Sequence, residues 1–344
     1  VSIESLNKKT IAWAFYDWAN TALALSVLAV LLTLVLRNHW SAGEASADIT
    51  ARLARITFAA SVVVCVTAPL FGTIADAGGY RKRFLLFLAI LGASMTAALG
   101  FVGAGNWQLA LGVYLFASIG YYTSIVFYDS LLIDVTEPRY YSFVSTLGFS
   151  LGYLGGALLL ALHLWMVKSP QTFGLENTVE AFNLAFMSVG IWWLLFVLPL
   201  LFFVSEKHSA IEVTTGAFRA AYSELKSTLR EITKYRNVVI FLVGYWLYVG
   251  GVFTIIVMAV DYGKRLGFAD QDLVMALLIT NLAGFPATLL YGLAAQRFGP
   301  KIGIYFALLV YVGACFWGLV MQTFREFRIR AGLIGCVPGG VQGG

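Results

Sequence analysis

Charged residues are scarce in this sequence. Only 12% of its 344 residues are Asp, Glu, Lys or Arg, while 60% are hydrophobic, and the mean hydropathy is +0.81. A soluble domain has about 25% charged residues, so the composition predicts a chain embedded in a lipid bilayer. The formal net charge is +5, but the basic residues lie in short loops and not along one face, so no nucleic-acid partner is indicated.

Signatures of metal binding and catalysis are also lacking. The three cysteines, Cys65, Cys315 and Cys336, lie in or beside apolar runs without metal-ligand spacing, and we expect them to be small buried hydrophobes without a disulfide or zinc site. The sequence contains no nucleophile–histidine–acid set, no His-Glu-x-x-His and no phosphate-binding Gly-x-x-x-x-Gly-Lys-Ser/Thr loop. It therefore predicts neither an enzyme nor an ATP-driven pump, and no cofactor or metal.

Long apolar runs dominate what remains. A bilayer-spanning helix needs about 20 apolar residues. Nine segments satisfy this: 11–36, 53–75, 84–104, 107–128, 142–166, 183–204, 238–260, 271–295 and 302–323. The first follows Lys8 and Lys9 and has no small-residue cleavage site, so we interpret it as a retained helix and not a signal peptide. The predicted fold class is an all-α multi-pass membrane protein.

The loop charges predict an orientation and a division of the chain. With the N-terminus in the cytoplasm, fourteen of the 23 Lys and Arg residues fall on the cytoplasmic side, as the positive-inside rule requires. Phe218, Ala221, Tyr222, Leu225 and Leu229 recur at helical spacing within a polar stretch, which predicts an amphipathic surface helix. We expect a six-helix bundle over 1–204, a cytoplasmic linker over 205–236 and an incomplete second bundle over 237–344.

A short basic loop links the second and third apolar runs. Within the stretch from Ala68 to Phe84, Gly72, Asp76, Gly79 and Arg81 fit the pattern Gly-x-x-x-Asp-Arg-x-Gly-Arg-Arg/Lys, and Lys82 follows. This pattern resembles the loop between helices 2 and 3 of the major facilitator superfamily of transporters. The resemblance implies that Asp76 caps helix 11, that Gly72 allows close packing, and that Arg81 pairs within a gate.

A degenerate copy of this loop follows the eighth run. Its matching residues are Gly292, Gln296, Arg297, Gly299 and Lys301, with Gln296 standing where Asp76 stands in the first copy. Parallel repeats of this kind relate the two halves of these transporters. Twelve helices are usual in the superfamily, whereas this sequence turns basic after the ninth run and stops within the expected tenth. We therefore hypothesise that this sequence is a fragment or a frame-shifted copy and not a complete transporter.

The first apolar run carries a polar face. Asp17, Asn20, Thr21 and Ala24 share one side of a helix. An ionisable group inside a membrane helix is costly and is a functional candidate, so this face could be a substrate pathway or a gate. The alternative is that Asp17 lies near the helix start and anchors it at the membrane interface.

Three stretches narrow the family. They are W-A-F-Y-D-W-A-N-T-A from Trp13, F-Y-D-S-L-L-I-D from Phe127, and G-F-S-L-G-Y-L-G-G from Gly148. Together they resemble the vacuole-effluxer branch of the superfamily, and the closing G-G-V-Q-G-G resembles the start of its helix-ten signature. The sequence departs from the branch pattern at Asp129 and Ile133.

Further polar and small residues leave two interpretations each. Asp129 and Asp134 could bind a proton or pair with Arg139 or the 81–83 basic cluster. Alternatively they could be solvated loop-end carboxylates, which we favour for Asp134.

Four glycines in the fifth apolar run form a row, which we call the glycine row: Gly148, Gly152, Gly155 and Gly156. They predict close helix packing, and a related glycine-rich motif of antiporters in the superfamily suggests antiport. We expect His163 to be an interface residue more readily than a proton-coupling group. Tyr121 and Asn281 could line a central cavity or simply pack.

The expected function follows from the resemblance. It implies secondary transport of a small solute by alternating access, coupled to protons, with efflux of amino acids or related metabolites suggested by the vacuolar relative. The expected location is the plasma membrane in a bacterium and a vacuolar-type membrane in a eukaryote. A transport-incompetent fragment or a partner-binding membrane scaffold is the alternative. No feature of the sequence indicates an oligomeric state.

Overall fold

The computed structural model describes residues 6–206, 217–321 and 323–337; a few side chains inside the helices, Asp76 among them, lie outside this description. Within these ranges the chain contains helices and no strand. Eight of these helices are long and apolar enough to cross a membrane, or nine if one bent pair counts as a span. The prediction of an all-α multi-pass fold is confirmed.

Six long helices form the first part of the chain. They are α1 (Lys8–Trp40), α2 (Ser46–Gly78), α3 (Arg81–Ala98), α4 (Trp107–Ser130), α5 (Tyr141–Lys168) and α6 (Thr178–Phe203). One large apolar core joins residues from all six, and it includes the fully buried rings of Trp13, Trp40 and Trp193. Short links connect α2 to α3 and α4 to α5, the latter including the one-turn helix Leu132–Val135.

Five helices follow in the described ranges 217–321 and 323–337. They are α7 (Ala217–Ile232), α8 (Arg236–Arg265), α9 (Asp270–Phe298), α10 (Pro300–Val320) and α11 (Phe324–Gly335). Helix α7 occupies the predicted linker and contacts α2. Of the five residues predicted for its apolar face, only Tyr222 has a described side chain, and it is exposed. Helix α11 begins with a capping box between Thr323 and Glu326, so the basic stretch after the ninth apolar run is helical.

Helix α5 is the element that both groups of helices share. It packs on α1 within the first group and on α9 within the second. A small apolar cluster spans the same seam, with Leu25 of α1, Leu160 of α5 and Leu277 of α9 among its members. Helix α5 therefore carries the most extensive described contact between the two groups of helices.

The prediction that the three cysteines are buried was wrong. Cys65, Cys315 and Cys336 are all exposed and free. Cys65 and Cys315 belong to bilayer-spanning helices, whose outer surfaces are solvated by lipid, so a small apolar side chain gains nothing there from being inside the protein.

Helix α1 departs from a regular α-helix. Its segments Leu23–Leu31 and Leu36–Trp40 are π-helical. Such segments are rare and often mark functional sites. The apolar periodicity of the sequence gave no sign of them, because a π-turn adds only about one residue per turn to an otherwise continuous helix.

Candidate functional site

Asp17 lies inside the protein. Its residue is only 6% exposed, and the Tyr128 hydroxyl donates a hydrogen bond to Asp17 Oδ2 over 3.2 Å. Tyr128 is held in turn by Trp13, whose ring stacks on it at 4.2 Å between centroids and whose Nε1 donates to the Tyr128 carbonyl. The α4 and α5 helices cover Asp17, so its carboxyl faces the interior of the helix bundle.

The glycine row of α5 faces this side of α1. A Cβ at Gly148 would lie 2.7 Å from the Tyr128 hydroxyl and 3.0 Å from Asp17 Oδ2, and one at Gly152 would lie 2.6 Å from Thr21 Oγ1. Gly155 lies equally close to Trp18 and Gly156 close to Thr21. Small residues let two membrane helices approach each other closely, so these glycines bring the polar face of α1 directly against α5.

The opposite side of α5 faces α9. The Ser150 hydroxyl donates to the Phe285 carbonyl over 2.8 Å, and Gly292 leaves space that Thr146 fills. Positions 146 and 148 lie about 200° apart around an α-helix. Helix α5 therefore separates Asp17 on one side from α9 on the other by no more than its own width.

Asn20 and Thr21 complete the polar face. Asn20 is 1% exposed, and its Nδ2 has no hydrogen-bond partner among the described residues. The Thr21 hydroxyl donates weakly to Asn20 Oδ1 over 3.4 Å. The pair therefore presents a buried amide with an unused donor, one helical turn from Asp17.

The remaining predicted pathway residues are not all gathered here. Asp129 is exposed but interacts electrostatically with Asp17. Tyr121 is buried edge-on against Trp193, with 6.1 Å between ring centroids. Asn281 donates to the Leu277 carbonyl of its own helix. The structure therefore brings both Asp129 and Tyr121 within electrostatic reach of Asp17, whereas the side chain of Asn281 bonds within its own helix.

His163, which was expected to be an interface residue, lies between helices in the structure. It is completely buried, with Nδ1 3.1 Å from the Ser26 hydroxyl and Nε2 2.8 Å from the Ser188 hydroxyl. Three helices, α1, α5 and α6, meet at its ring. A sequence shows how far along a helix a residue lies but not which neighbour covers it.

The two copies of the basic loop share one backbone feature. Gly79 has φ +64° and Gly299 has φ +82°, and each ends its helix with an N–H bonded to the carbonyl four residues earlier, in Ala75 and Ala295. Residues that have a side chain rarely adopt such backbone φ values, so glycine is strongly favoured at both positions. The side chain of Asp76, which was predicted to cap a helix, lies outside the described residues.

Gly72 and Gly292 differ although they match in the motif. Nothing described lies within 4 Å of a Cβ placed at Gly72, whereas Gly292 packs on Thr146. The expected close packing at Gly72 is therefore not found in the described part of the chain, since no described helix approaches α2 at that residue. Gln296 is half-buried, Arg297 lies over the ring of Phe298, and Lys301 is exposed.

Arg81 and Asp134 form an ion pair across the loop ends. The guanidinium and carboxylate atoms are 3.5 Å apart, and the Asp134 side chain is only 4% exposed. The favoured interpretation of Asp134 as a solvated carboxylate was wrong, while its alternative pairing with the basic cluster is found. Arg139 instead pairs with Glu137.

Glu206 caps the start of α3, and Lys82 of α3 caps the end of α6. The Glu206 carboxylate accepts from the backbone N–H groups of Arg81 (2.7 Å) and Lys82 (3.3 Å) at the start of α3. Lys82 Nζ donates to the carbonyls of Leu201 and Val204 at the end of α6. An acid at a helix N-terminus and a base at a C-terminus both satisfy orphan backbone groups and oppose the helix dipole. The basic cluster thus also fastens α3 to α6.

We predict that Glu206→Ala loosens this junction. Removing a charged cap costs about 1 kcal/mol, and two backbone N–H groups lose their acceptor. Backbone amide exchange over 79–84 should become faster, as measured by hydrogen–deuterium exchange with mass spectrometry. Glu176→Ala, which alters an exposed loop carboxylate, should leave exchange there unchanged, and equal protection in both variants would contradict the capping role.

Sequence reasoning did not select Tyr128 or Glu206 as functional residues. Tyr128 stands within the F-Y-D-S stretch, beside Asp129, and an aromatic hydroxyl inside a membrane helix was a usable signal because it needs a partner. Glu206 comes three residues after α6 ends and looks like any loop acid. Only the folded chain shows that it reaches the start of α3.

Comparison with known proteins agrees with this architecture. A family model described as "Vacuole effluxer Atg22 like" matches residues 6–138 and 133–342. The chain is 31% identical over 342 residues to the uncharacterized MFS-type transporter YxiO of Bacillus subtilis (strain 168), covering 99% of this chain and 80% of that protein. It is 20% identical to the autophagy-related protein 22 of Vanderwaltozyma polyspora, covering 96% of this chain and 75% of the relative.

Solved structures share the fold. FucP, a major facilitator superfamily transporter in the outward conformation, aligns with a TM-score of 0.67 at 14% identity, covering 97% of this chain and 84% of that one. The human organic anion transporter MFSD10 aligns with a TM-score of 0.67 at 17% identity, covering 97% and 89%. The chain is a multi-pass membrane protein with the major facilitator fold, and it belongs to the vacuole effluxer Atg22-like family of transporters.

Proposed function

We propose that this protein is a secondary active transporter that moves a small solute by alternating access and couples that movement to protons. Efflux of amino acids or related metabolites is the proposed direction and substrate class. The observation that carries the proposal is Asp17, a buried carboxyl that forms no ion pair among the described residues. The family relationship supports transport in general.

The energetic argument rests on charge inside a membrane. An unpaired carboxylate buried in a membrane protein costs several kcal/mol, whereas a protonated carboxyl is neutral. Either a proton or a cationic group of the solute would remove this cost. Asp129, which is exposed and interacts electrostatically with Asp17, is the proposed neighbour through which a proton enters.

Helix α5 is the proposed link between the carboxyl and the two groups of helices. Gly148 lies against Asp17, and Ser150 on the other face bonds to the Phe285 carbonyl of α9. A change of charge or hydration at Asp17 alters its contact with Gly148. Because the same helix forms the seam with α9, this change can bias the relative tilt of the two groups.

The paired loops are the proposed gate. In the first, the Arg81–Asp134 ion pair ties the start of α3 to the one-turn helix Leu132–Val135, and the Lys82 contacts tie it to the end of α6. In the second, Gly292 packs on α5 and Gly299 ends α9. The proposed gating set is Gly72, Asp76, Gly79, Arg81, Lys82, Gly292, Gln296, Arg297, Gly299 and Lys301.

A flux assay tests the proposal. Protein reconstituted in liposomes that contain a pH-sensitive dye and a mixture of the standard amino acids should acidify or alkalinise the lumen when an amino-acid gradient is imposed. Liposomes without protein are the control, and they should give no such signal. A protein that moves solute without a proton signal would overturn the coupling alone, whereas no flux of any amino acid would overturn the substrate class and favour a scaffold.

We also propose a cytoplasmic N-terminus, in the plasma membrane of a bacterium or a vacuolar-type membrane of a eukaryote. The excess of Lys and Arg in alternate loops supports it. Reporter fusions after Gly105 and after Glu206 should then have opposite activities, with alkaline phosphatase active only at Gly105. Alkaline phosphatase activity of the fusion after Glu206 would indicate the opposite orientation.

A further inference from the structure

A buried hydrogen-bond chain joins α1, α5 and α6 away from Asp17. Its members are Ser26, His163 and Ser188, and it ends on the Ala185 carbonyl. Ser26 and His163 are both completely buried. Ser26 lies in the π-helical segment Leu23–Leu31 of α1. The transport proposal makes no use of this chain.

The direction of each hydrogen bond follows from proton counting. A serine hydroxyl has one hydrogen to donate, and the Ser188 hydroxyl donates its hydrogen to the Ala185 carbonyl over 2.9 Å. Ser188 can then only accept from the ring, so His163 Nε2 must carry a hydrogen. A neutral imidazole has one donor and one acceptor nitrogen, which leaves Nδ1 to accept from the Ser26 hydroxyl.

We infer that His163 is a positioning residue, which in its neutral Nε2–H form locks the π-helical segment of α1 to α5 and α6. The chain runs in one direction, from the Ser26 hydroxyl to Nδ1, then from Nε2–H to Ser188, and on to the Ala185 carbonyl. A π-segment widens a helix and is tolerated where surrounding contacts hold it. His163 supplies such a contact just beyond the polar face that ends at Thr21.

This lock has a mechanical consequence for α1. The glycines of α5 hold the helix at its polar face, and His163 holds it one to two turns further along. Two fixed points on one helix prevent it from rotating about its axis. The register of Asp17 against Gly148 is thereby kept while α5 moves against α9.

Nitrogen NMR of the imidazole rings tests the direction of the chain directly. The sequence has three histidines, so protein labelled with ¹⁵N-histidine gives three ring systems, and the signal lost in His163→Gln identifies the buried one. We expect a neutral ring with hydrogen on Nε2. A ring with hydrogen on Nδ1, or on both nitrogens, would overturn the inference.

Two serine variants make opposite predictions. In Ser188→Ala the Nε2–H loses its acceptor, and the Ser26 hydroxyl can turn to accept instead, so the ring should switch to the Nδ1–H form. In Ser26→Ala the Nε2–H bond to Ser188 remains, so the ring should not switch. A switch in Ser26→Ala, or none in Ser188→Ala, would contradict the proposed direction. Ser118→Ala is the matched control, because the buried Ser118 hydroxyl has no partner in the described part of the chain.

Thermal unfolding in detergent separates positioning from simple space filling. His163→Leu should lower the unfolding midpoint by about 2–4 °C, because both serine hydroxyls lose a partner. His163→Gln keeps one donor and one acceptor and should recover most of that loss. Equal midpoints for the Leu and Gln variants would reject the hydrogen-bonding role. None of these measurements requires flux, so they stand or fall separately from the transport proposal.

Discussion

Asp17→Asn should abolish the proton signal of transport while the protein still folds. The substitution keeps the size of the side chain and an oxygen that can accept from the Tyr128 hydroxyl, but it removes the group that binds a proton. If protonation of Asp17 drives the exchange of states, proton-coupled flux should fall on the order of 100-fold. That factor is near the upper end of the range given by typical coupling free energies between two sites.

The measurement compares three reconstituted variants with the wild type. Asp17→Asn should lose proton movement, Tyr128→Phe should lose only part of it because the carboxyl remains, and Asp48→Asn should behave like the wild type. Asp48 is an exposed acid in the first turn of α2, so it controls for loss of one negative charge. Full proton-coupled flux in Asp17→Asn would remove Asp17 from the mechanism.

Counterflow adds a second arm to this test. Exchange of labelled for unlabelled solute needs the substrate site but no net proton movement. If Asp17 binds only the proton, Asp17→Asn should retain exchange. If exchange is also lost, Asp17 contacts a cationic group of the solute, and the coupling role passes to Asp129.

Gly152→Ala and Gly112→Ala should change stability in opposite directions. A Cβ at Gly152 would lie 2.6 Å from Thr21 Oγ1 and 3.2 Å from the Asp17 carbonyl oxygen, whereas nothing described lies within 4 Å of a Cβ at Gly112. Overpacking of a close helix contact costs about 1–3 kcal/mol. Alanine in place of an uncrowded helical glycine gains about 0.5–1 kcal/mol in helix propensity.

Both alanine variants add one methyl group to a bilayer-spanning helix, so they form a matched pair. Thermal unfolding in a mild detergent, followed by intrinsic tryptophan fluorescence, should show Gly152→Ala below the wild type and Gly112→Ala at or above it. A third variant, Gly152→Ala combined with Thr21→Ala, removes the crowded oxygen and should restore part of the loss. Equal unfolding of Gly152→Ala and Gly112→Ala would mean that α1 and α5 can separate without cost.

The general architecture could be predicted because the bilayer imposes it on the sequence. Backbone groups in lipid must bond within their own segment, so each apolar run of sufficient length has to be a helix. The run predicted at 107–128 and the helix Trp107–Ser130 illustrate how closely composition follows that requirement. Gly79 and Gly299 were selected by the repeated loop motif, and in the structure each ends a helix with a positive φ.

Contacts between helices could not be predicted in this way. In lipid, the outer and inner faces of a helix are both apolar, so hydropathy does not say which face is covered. That is why Cys65 was wrongly predicted to be buried, and why the complete burial of His163 was not predicted. It is also why Gly72 and Gly292, equivalent in the motif, have different surroundings.

The sequence by itself determined that this protein is a helical membrane protein, with a repeated basic loop and an ionisable group in its first helix. Each of these depends on local composition and on the cost of polar groups in lipid. Only the tertiary structure decided that Asp17 meets Tyr128 and Gly148, that Glu206 caps the start of α3, and that Lys82 caps the end of α6. Those pairings join residues more than 100 positions apart, and close packing of several helices, which no single helix encodes, brings them together.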